Sequence, residues 1–125
     1  MDNNARIMEI GRLVATDRNV DAAPWDGYAL IVVHAGESRT LTGFRYRDGA
    51  APEAATPEAT AQLGEQIDAL RAGTVVSGKA PWNACVVRIR RDTGRITVDF
   101  DYDAPTRWEI RPDTLDAVAE RARPE

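Results

Sequence analysis

The chain has few of the residues that enzymes and metal sites most often use. Its 125 residues include one cysteine (Cys85), one histidine (His34) and two serines, and every basic residue except Lys79 is arginine. One cysteine excludes an intrachain disulfide, and one histidine excludes a metal site built from a histidine pair. Neither serine lies in a G-x-S-x-G motif, and no glycine-rich phosphate loop is present. We therefore predict that the protein is not an enzyme and has no catalytic residues, metal site or cofactor.

The chain also lacks a long hydrophobic run and an excess of positive charge. No apolar stretch approaches the ~18 residues that span a bilayer, and the N-terminus lacks the pattern of a signal peptide. The net charge of −4 argues against general nucleic-acid binding, which needs a basic patch. We predict one cytoplasmic domain, residues 1–125, with no membrane partner and no direct nucleic-acid partner.

The isolated residues with reactive or metal-binding side chains have ordinary structural interpretations. Cys85 alternates with apolar neighbours, which predicts a buried structural thiol. His34 ends an apolar run beside a turn, which predicts a surface histidine. Asp99, Asp101 and Asp103 resemble the start of a calcium loop only superficially, because alanine and isoleucine replace the glycine and glutamate that such a loop requires.

The most informative stretch is residues 82–102, WNACVVRIRRDTGRITVDFDY. Two runs of alternating apolar and polar residues flank the turn Arg91-Asp92-Thr93-Gly94, which is the pattern of a β-hairpin with one buried face. The apolar face comprises Val87, Ile89, Ile96, Val98, Phe100 and Tyr102, and the polar face comprises Arg88, Arg90, Arg95, Asp99, Asp101 and Asp103. This pattern predicts a register in which Ile89 faces Ile96 and Val87 faces Val98.

The other elements follow from periodicity and from breaker residues. Apolar spacing predicts a helix over residues 4–16, capped by Asn3 or Asn4. A second helix is predicted to start at Thr56-Pro57-Glu58 and to end at Gly73 in a left-handed cap.

Strands are predicted over residues 28–33 and 40–46, with a short fifth strand over residues 107–110. A short closing helix is predicted after Pro112. Residues 47–55 are predicted to form an exposed loop, and residues 121–125 a frayed tail.

The two hairpins share several residues at corresponding positions. Pro24-Trp25 corresponds to Pro81-Trp82 at an offset of 57, and Phe44-x-Tyr46 to Phe100-x-Tyr102 at an offset of 56. We therefore predict a hairpin pseudo-repeat. The predicted fold class is α+β: an antiparallel sheet of four to five strands with helices packed on one face, in the order α-β-β-α-β-β(-β)-α. The opposite, charged face is then open to solvent or to a partner.

Charge is distributed unevenly on that open face. In the predicted register the arginines lie near the hairpin turn and the aspartates at the other end, so cross-strand neutralisation is partial. Complementary charge steers and specifies protein association. The predicted contact residues are Arg88, Arg90, Asp99, Asp101 and Asp103. A plainly solvated face is the alternative interpretation.

Several short motifs occur in an order that is similar to that of a known family. They are Pro24-Trp25, Phe44–Tyr46, Leu63–Leu70, Trp82–Ile89, Phe100–Asp103 and Trp108. Over about residues 4–118 the chain resembles the YezG-like immunity proteins. The resemblance implies a cytosolic antitoxin that binds the toxic C-terminal domain, often a nuclease, of a secreted polymorphic toxin. The chain departs from the family in its long Ala/Pro-rich loop and short tail, which leave the identity of the toxin open.

Two functional hypotheses of different classes follow. The first is an immunity protein that binds its cognate toxin domain as a monomer, one to one, with a nuclease or other nucleic-acid-targeting enzyme as the first candidate. An acidic protein could block a basic nuclease cleft by taking the place of phosphates. The alternative is a secretion chaperone or adaptor that escorts an effector without inhibiting it.

Overall fold

The computed structural model describes residues 2–35, 38–102 and 105–124, with only the backbone for residues 105 and 106. The described residues form α1 (Asn3–Ala15), β1 (Gly27–Ala35), β2 (Ser38–Tyr46), β3 (Glu53–Ala54), α2 (Thr60–Gly73), β4 (Ala84–Arg90), β5 (Ile96–Asp101) and α3 (Leu115–Arg121). Two short 3-10 helices span Val20–Ala22 and Pro105–Trp108. The predicted α+β class is confirmed. None of the helices in these ranges is long and apolar enough to cross a membrane.

The strands form one antiparallel sheet in the order β3-β2-β1-β4-β5. Val87 faces Val98 and Ile89 faces Ile96, so the predicted register of the second hairpin is confirmed. Gly94 in the hairpin turn has a φ of 68°, which glycine adopts without steric cost.

The two hairpins meet along β1 and β4, which pair at the centre of the sheet. Leu30 lies directly opposite Val87, and these residues are also equivalent at the sequence offset of 57. A residue that pairs with its own equivalent lies on a local twofold axis perpendicular to the sheet. The first strands of the two hairpins are therefore related by such an axis. The second strands are not: Phe44 and Tyr46 lie on one face of the sheet, whereas Phe100 and Tyr102 pack on the other, so that half of the predicted pseudo-repeat is wrong.

One face of the sheet packs against α1 and α2. The core between this face and the two helices includes the buried side chains Ile10, Val14, Trp25, Tyr28, Leu30, Leu63, Ile67, Leu70 and Trp82. The indole N–H of Trp82 donates to Thr74 Oγ1 at 2.9 Å, which satisfies the polar group of a fully buried ring. Cys85 is fully buried in the same core, and burial raises the pKa of its thiol to about 12. The predicted structural thiol is confirmed.

The second face is covered in part, whereas the sequence predicted helices on one face only. Side chains of the three central strands pack there against the second 3-10 helix and α3, through the buried residues Ala29, Ile31, Phe44, Tyr46, Val86, Trp108, Val118, Ala119 and Ala122. The Tyr46 hydroxyl donates to the Ala119 carbonyl at 2.7 Å. The predicted frayed tail is wrong as far as residue 124, because Ala122 and Pro124 are buried.

The fifth strand is also not where it was predicted. Residues 107 and 108 end the 3-10 helix that begins at Pro105, and residues 109 and 110 are irregular, so no strand forms there. The fifth strand is β3, which pairs with β2 through Phe44 opposite Ala54 and Arg45 opposite Glu53. The predicted loop 47–55 is therefore exposed at residues 47–51, but its end belongs to the sheet edge.

The helix ends differ in detail from the predictions. Asp2, rather than Asn3 or Asn4, caps α1 by accepting a hydrogen bond from the Ala5 N–H at 2.7 Å. The second helix begins at Thr60, after the predicted start at residues 56–58.

The delayed start of α2 has a clear cause. The N–H groups of Glu58 and Ala59 donate to the carboxylate of Asp17, at 3.1 and 2.9 Å, so a side chain from beyond the end of α1 satisfies them. The helix ends at Gly73 as predicted, but Thr74, with a φ of −109°, takes the C-cap position. The predicted left-handed glycine cap is wrong.

Gly43 on β2 is a position where the core leaves no room for a side chain. A Cβ there would lie 1.7 Å from the Tyr28 hydroxyl oxygen and 2.8 Å from the Ala55 carbonyl oxygen. That hydroxyl donates to the same carbonyl at 2.6 Å. Gly43→Ala is therefore expected to lower the free energy of unfolding by about 2–3 kcal/mol, measured by denaturant unfolding.

The double variant G43A/Y28F supplies the control for this prediction. Removing the Tyr28 hydroxyl relieves the closest contact of the new Cβ. Y28F should therefore lower the free energy of unfolding less in the G43A background than in the wild type. Strictly additive effects would contradict the proposed clash.

Candidate partner-binding site

An arginine-lined cleft lies on the second face, where β4 and β5 meet the end of α3. Its volume is about 320 Å³, and its lining residues are Arg88, Arg90, Arg95, Thr97, Asp99, Arg121, Arg123 and Pro124. Alternation along the two strands places residues 88 and 90 on the same face as residues 95, 97 and 99. The end of α3 and the residues after it bring the other two arginines. We call this site the arginine cleft.

Arg88 joins the cleft to the end of α3. Its Nε donates to the carbonyl of Ala122 and its Nη2 to that of Arg121, both at 3.1 Å, and its Nη1 pairs with Asp99. A cation at a helix C-terminus interacts favourably with the helix dipole. Because these contacts hold the side chain at 16% exposure, Arg88 forms a fixed wall of the cleft.

Two further arginines are paired with carboxylates that do not line the cleft. Arg90 donates to both oxygens of Asp92 at 3.3 Å and lies 3.6 Å from Asp48. Arg123 donates to both oxygens of Glu120, at 2.9 and 2.8 Å. These hydrogen bonds raise the pKa of Arg90 and of Arg123, and they lower the pKa of Asp92 and of Glu120.

Arg95 and Arg121 have no carboxylate partner within residues 2–35, 38–102 and 105–124. Arg121 donates to the carbonyl of Arg107 and lies 5.7 Å from the ring centroid of Trp108. Arg95 is exposed. A guanidinium presents five donors in a planar fork that matches a carboxylate or a phosphate. The cleft therefore offers two cationic groups to the oxyanions of a partner.

Three of the five predicted contact residues line this cleft: Arg88, Arg90 and Asp99. Asp101 lies on β5 outside the lining, and Asp103 lies outside the described residues. The prediction emphasised an acidic end of this face. The lining instead carries five arginines and one aspartate, and that aspartate is paired with Arg88. The character of the cleft is basic.

Two arginines of the cleft were missed from the sequence, and a third was only placed on the polar face. Arg121 and Arg123 follow the short apolar stripe of α3, and Arg95 follows the hairpin turn. The available signal was the Arg-x-Arg spacing at the end of a short helix whose apolar residues need a surface to pack on. A helix that packs on the sheet places the residues at its end beside the strands.

A second polar cluster lies at the other end of β1. The predicted surface position of His34 is wrong: its side chain is 9% exposed, and its ring packs edge-on against Trp82 at a centroid distance of 5.3 Å. Its Nε2 lies 3.7 Å from a carboxylate oxygen of Asp68, which also pairs with Arg39 at 2.5 Å. Burial, and then the nearby Arg71, lower the pKa of His34. His34 is therefore a packed residue of the core margin.

Within the described ranges, no group of three or more histidine, cysteine, aspartate or glutamate residues is placed to hold a metal ion. The chain matches no protein-family model and no curated protein sequence. The observations that bear on function are therefore the arginine cleft and the order of motifs along the chain.

Proposed function

We propose that this chain is a cytoplasmic immunity protein that binds the toxic domain of a secreted bacterial toxin and neutralises it. The observation that carries the proposal is the convergence of Arg88, Arg90 and Asp99 with two further arginines that have no described carboxylate partner. The resemblance to the YezG-like immunity proteins supplies the class of function, and the arginine cleft supplies a contact surface. One molecule of this protein binds one toxin domain.

The arginine cleft fits a partner surface that presents carboxylates. Arginine forks bind carboxylates through two parallel hydrogen bonds, which gives both energy and orientation. Nucleases that act through bound metal ions hold those ions with carboxylates. An acidic catalytic site of this kind suits Arg95 and Arg121, which would occupy the positions of the metal ions and exclude the nucleic acid.

This mode of inhibition differs from phosphate mimicry. The net charge of −4 can attract a basic toxin at long range. At the cleft itself, however, five arginines face the partner, and like charges brought together at an interface oppose binding. Long-range attraction and local contact therefore use different parts of the protein surface.

The proposal is tested by co-expression with the toxin domain encoded in the open reading frame immediately upstream. Cells that make both proteins should grow, and cells that make only the toxin should die. Arg121→Glu should reduce protection, whereas Arg18→Glu, an exposed arginine beyond the end of α1, should leave it unchanged. Equal killing with and without the protein would refute the proposal.

A secretion chaperone or adaptor is the second candidate. The exposed apolar residues Met8, Val75 and Val76 favour it, since escort proteins bind unfolded segments through apolar surface. A chaperone would leave the purified toxin domain active, which an immunity protein would not.

A further inference from the structure

The outer edge of β5 has no strand partner in the part of the chain that the structure describes. β5 ends the strand order on one side, whereas β3 covers part of the β2 edge on the other. An exposed edge offers unpaired N–H and C=O groups to another strand. Beside this edge is a groove of about 340 Å³, lined by Asn4, Ile7, Met8, Gly94, Ile96, Val98 and Phe100. Met8 in this groove is 62% exposed.

The direction of the β5 backbone groups follows from one hydrogen bond. The Arg90 N–H donates to the Arg95 carbonyl at 2.9 Å, so these residues form a hydrogen-bonded pair of the ladder. Bonded and non-bonded pairs alternate along an antiparallel ladder. The backbone groups of residues 97 and 99 therefore face β4. Those that point outward belong to Ile96, Val98 and Phe100.

The sequence of β5 is complementary to itself in one antiparallel register. With Val98 opposite Val98 of a second copy, Ile96 faces Phe100 and Thr97 faces Asp99. In the same register Arg95 of each copy faces Asp101 of the other, which gives two such pairs. The apolar pairs all lie on the α1 side of the sheet, and the oppositely charged pairs lie on the side of the arginine cleft.

Neighbouring registers fit less well. Centring on Phe100 would bring Asp99 opposite Asp101, and like charges placed directly opposite each other are destabilising. Centring on Thr97 or Asp99 would require hydrogen bonds from backbone groups that face β4, so they cannot reach a second copy. Charge and backbone direction together therefore select the register centred on Val98.

We propose that the free protein forms a symmetric dimer in which the β5 strands of two copies pair antiparallel about Val98. The pairing joins the two sheets into one and brings the two Met8 side chains to the same face. The dimer concerns the free protein, whereas the monomer favoured from the sequence is the form bound one to one to the toxin. In the dimer Arg95 pairs with Asp101 of the second copy, so toxin binding and dimerisation compete for Arg95, while Arg121 stays available in each arginine cleft. A ratio of one protein to one toxin domain is maintained, and the pairing is equally compatible with an inhibitor and with an escort protein.

Disulfide trapping tests both the dimer and its register. Residues at position 98 would lie about 5.5 Å apart between Cα atoms, within the span of a disulfide. Residues at position 96 would lie about 13 Å apart along the strands. Oxidised Val98→Cys should therefore run at twice the mass of 13.7 kDa, and Ile96→Cys should remain a single chain. The native Cys85 is fully buried and does not compete. Equal cross-linking of both variants, or of neither, would overturn the proposal.

A charge exchange tests the pairing without a covalent link. Arg95→Glu should weaken dimerisation about tenfold in a concentration series followed by light scattering, because it places like charges opposite each other twice. The double exchange R95E/D101R should restore wild-type dimerisation. The two residues lie six positions apart on one strand, so rescue can only act between copies. A wild-type protein that stays at 13.7 kDa throughout the series would contradict the dimer.

Discussion

Arg95→Glu combined with Arg121→Glu is expected to weaken binding to the toxin domain by about a hundredfold or more. Both guanidinium groups line the arginine cleft, and neither has a carboxylate partner among the described residues. Close charge pairs across an interface contribute roughly 1.5–7 kcal/mol in favourable cases, and each 1.4 kcal/mol is about a tenfold change in affinity. Isothermal titration with the purified toxin domain measures the change.

The controls for this prediction distinguish a local effect of the cleft arginines from an effect of the net charge of the protein. Arg18→Glu introduces the same charge change as Arg121→Glu alone, but beyond α1, and should alter the dissociation constant little. Arg121 lies outside the β5 edge, so Arg121→Glu alone reports on the cleft without affecting the proposed dimer. Binding of all variants should weaken with added salt, which screens exposed charges. An undiminished affinity of the double variant would show that the toxin contacts another surface.

Asp17→Ala is expected to lower the free energy of unfolding by about 3–4 kcal/mol. Asp17 is 5% exposed, and its carboxylate accepts hydrogen bonds from the N–H groups of Asn19, Val20, Glu58 and Ala59, at 2.9, 3.2, 3.1 and 2.9 Å. Alanine would leave these donors without their acceptor in a largely closed site. The melting temperature should fall by about 10–20 °C, measured by thermal denaturation.

Asp17→Asn is the matched control, because it keeps the size of the side chain and one carbonyl oxygen. Three of the four donors use a single oxygen, Oδ1, so asparagine should retain part of the stability that alanine loses. Equal melting temperatures for the alanine variant and the wild type would show that these hydrogen bonds contribute nothing to folding.

The same carboxylate gives a pH dependence of defined sign. Burial alone would raise the pKa of Asp17, but the four backbone hydrogen bonds outweigh it and hold the pKa below the usual 3.8. The unfolded chain therefore takes up a proton first as the pH falls. The contribution is complete above about pH 4 and is lost as the pH falls through the folded pKa. The stability difference between wild type and Asp17→Asn should shrink on acidification, and a constant difference would contradict this origin.

The elements that were predicted well from the sequence are those with a strong periodicity of apolar residues. The alternation from Val87 to Phe100 determined which face of the second hairpin is buried and hence its register, because a slip of one residue would expose every apolar side chain. β3 has two residues and so no measurable period. The segment over residues 107–110 alternates like a strand, yet its first two residues complete the 3-10 helix that begins at Pro105, and Trp108 is buried against the sheet.

The candidate site was predicted only where a single strand pair determines it. Arg88, Arg90 and Asp99 share a face through strand alternation, which sequence shows directly. The position of Arg121 depends on α3 packing against the sheet about 30 residues away in the chain. Of the two large apolar residues of α3, Val118 is buried against the sheet and Leu115 is 38% exposed. The apolar residues of α3 and the Arg-x-Arg spacing indicate that the helix end lies beside some packing surface, but they do not show which one. The basic character of the cleft could therefore not be predicted from the sequence, because it depends on which arginines the fold brings together.

The most direct measurement is a titration of purified toxin activity with the purified protein. If the chain is an immunity protein that acts through the arginine cleft, the wild type should abolish the activity at one molecule per toxin domain. R95E/R121E should leave most of the activity at the same ratio, and R18E should inhibit like the wild type. A toxin domain that stays fully active in excess wild-type protein would contradict the account.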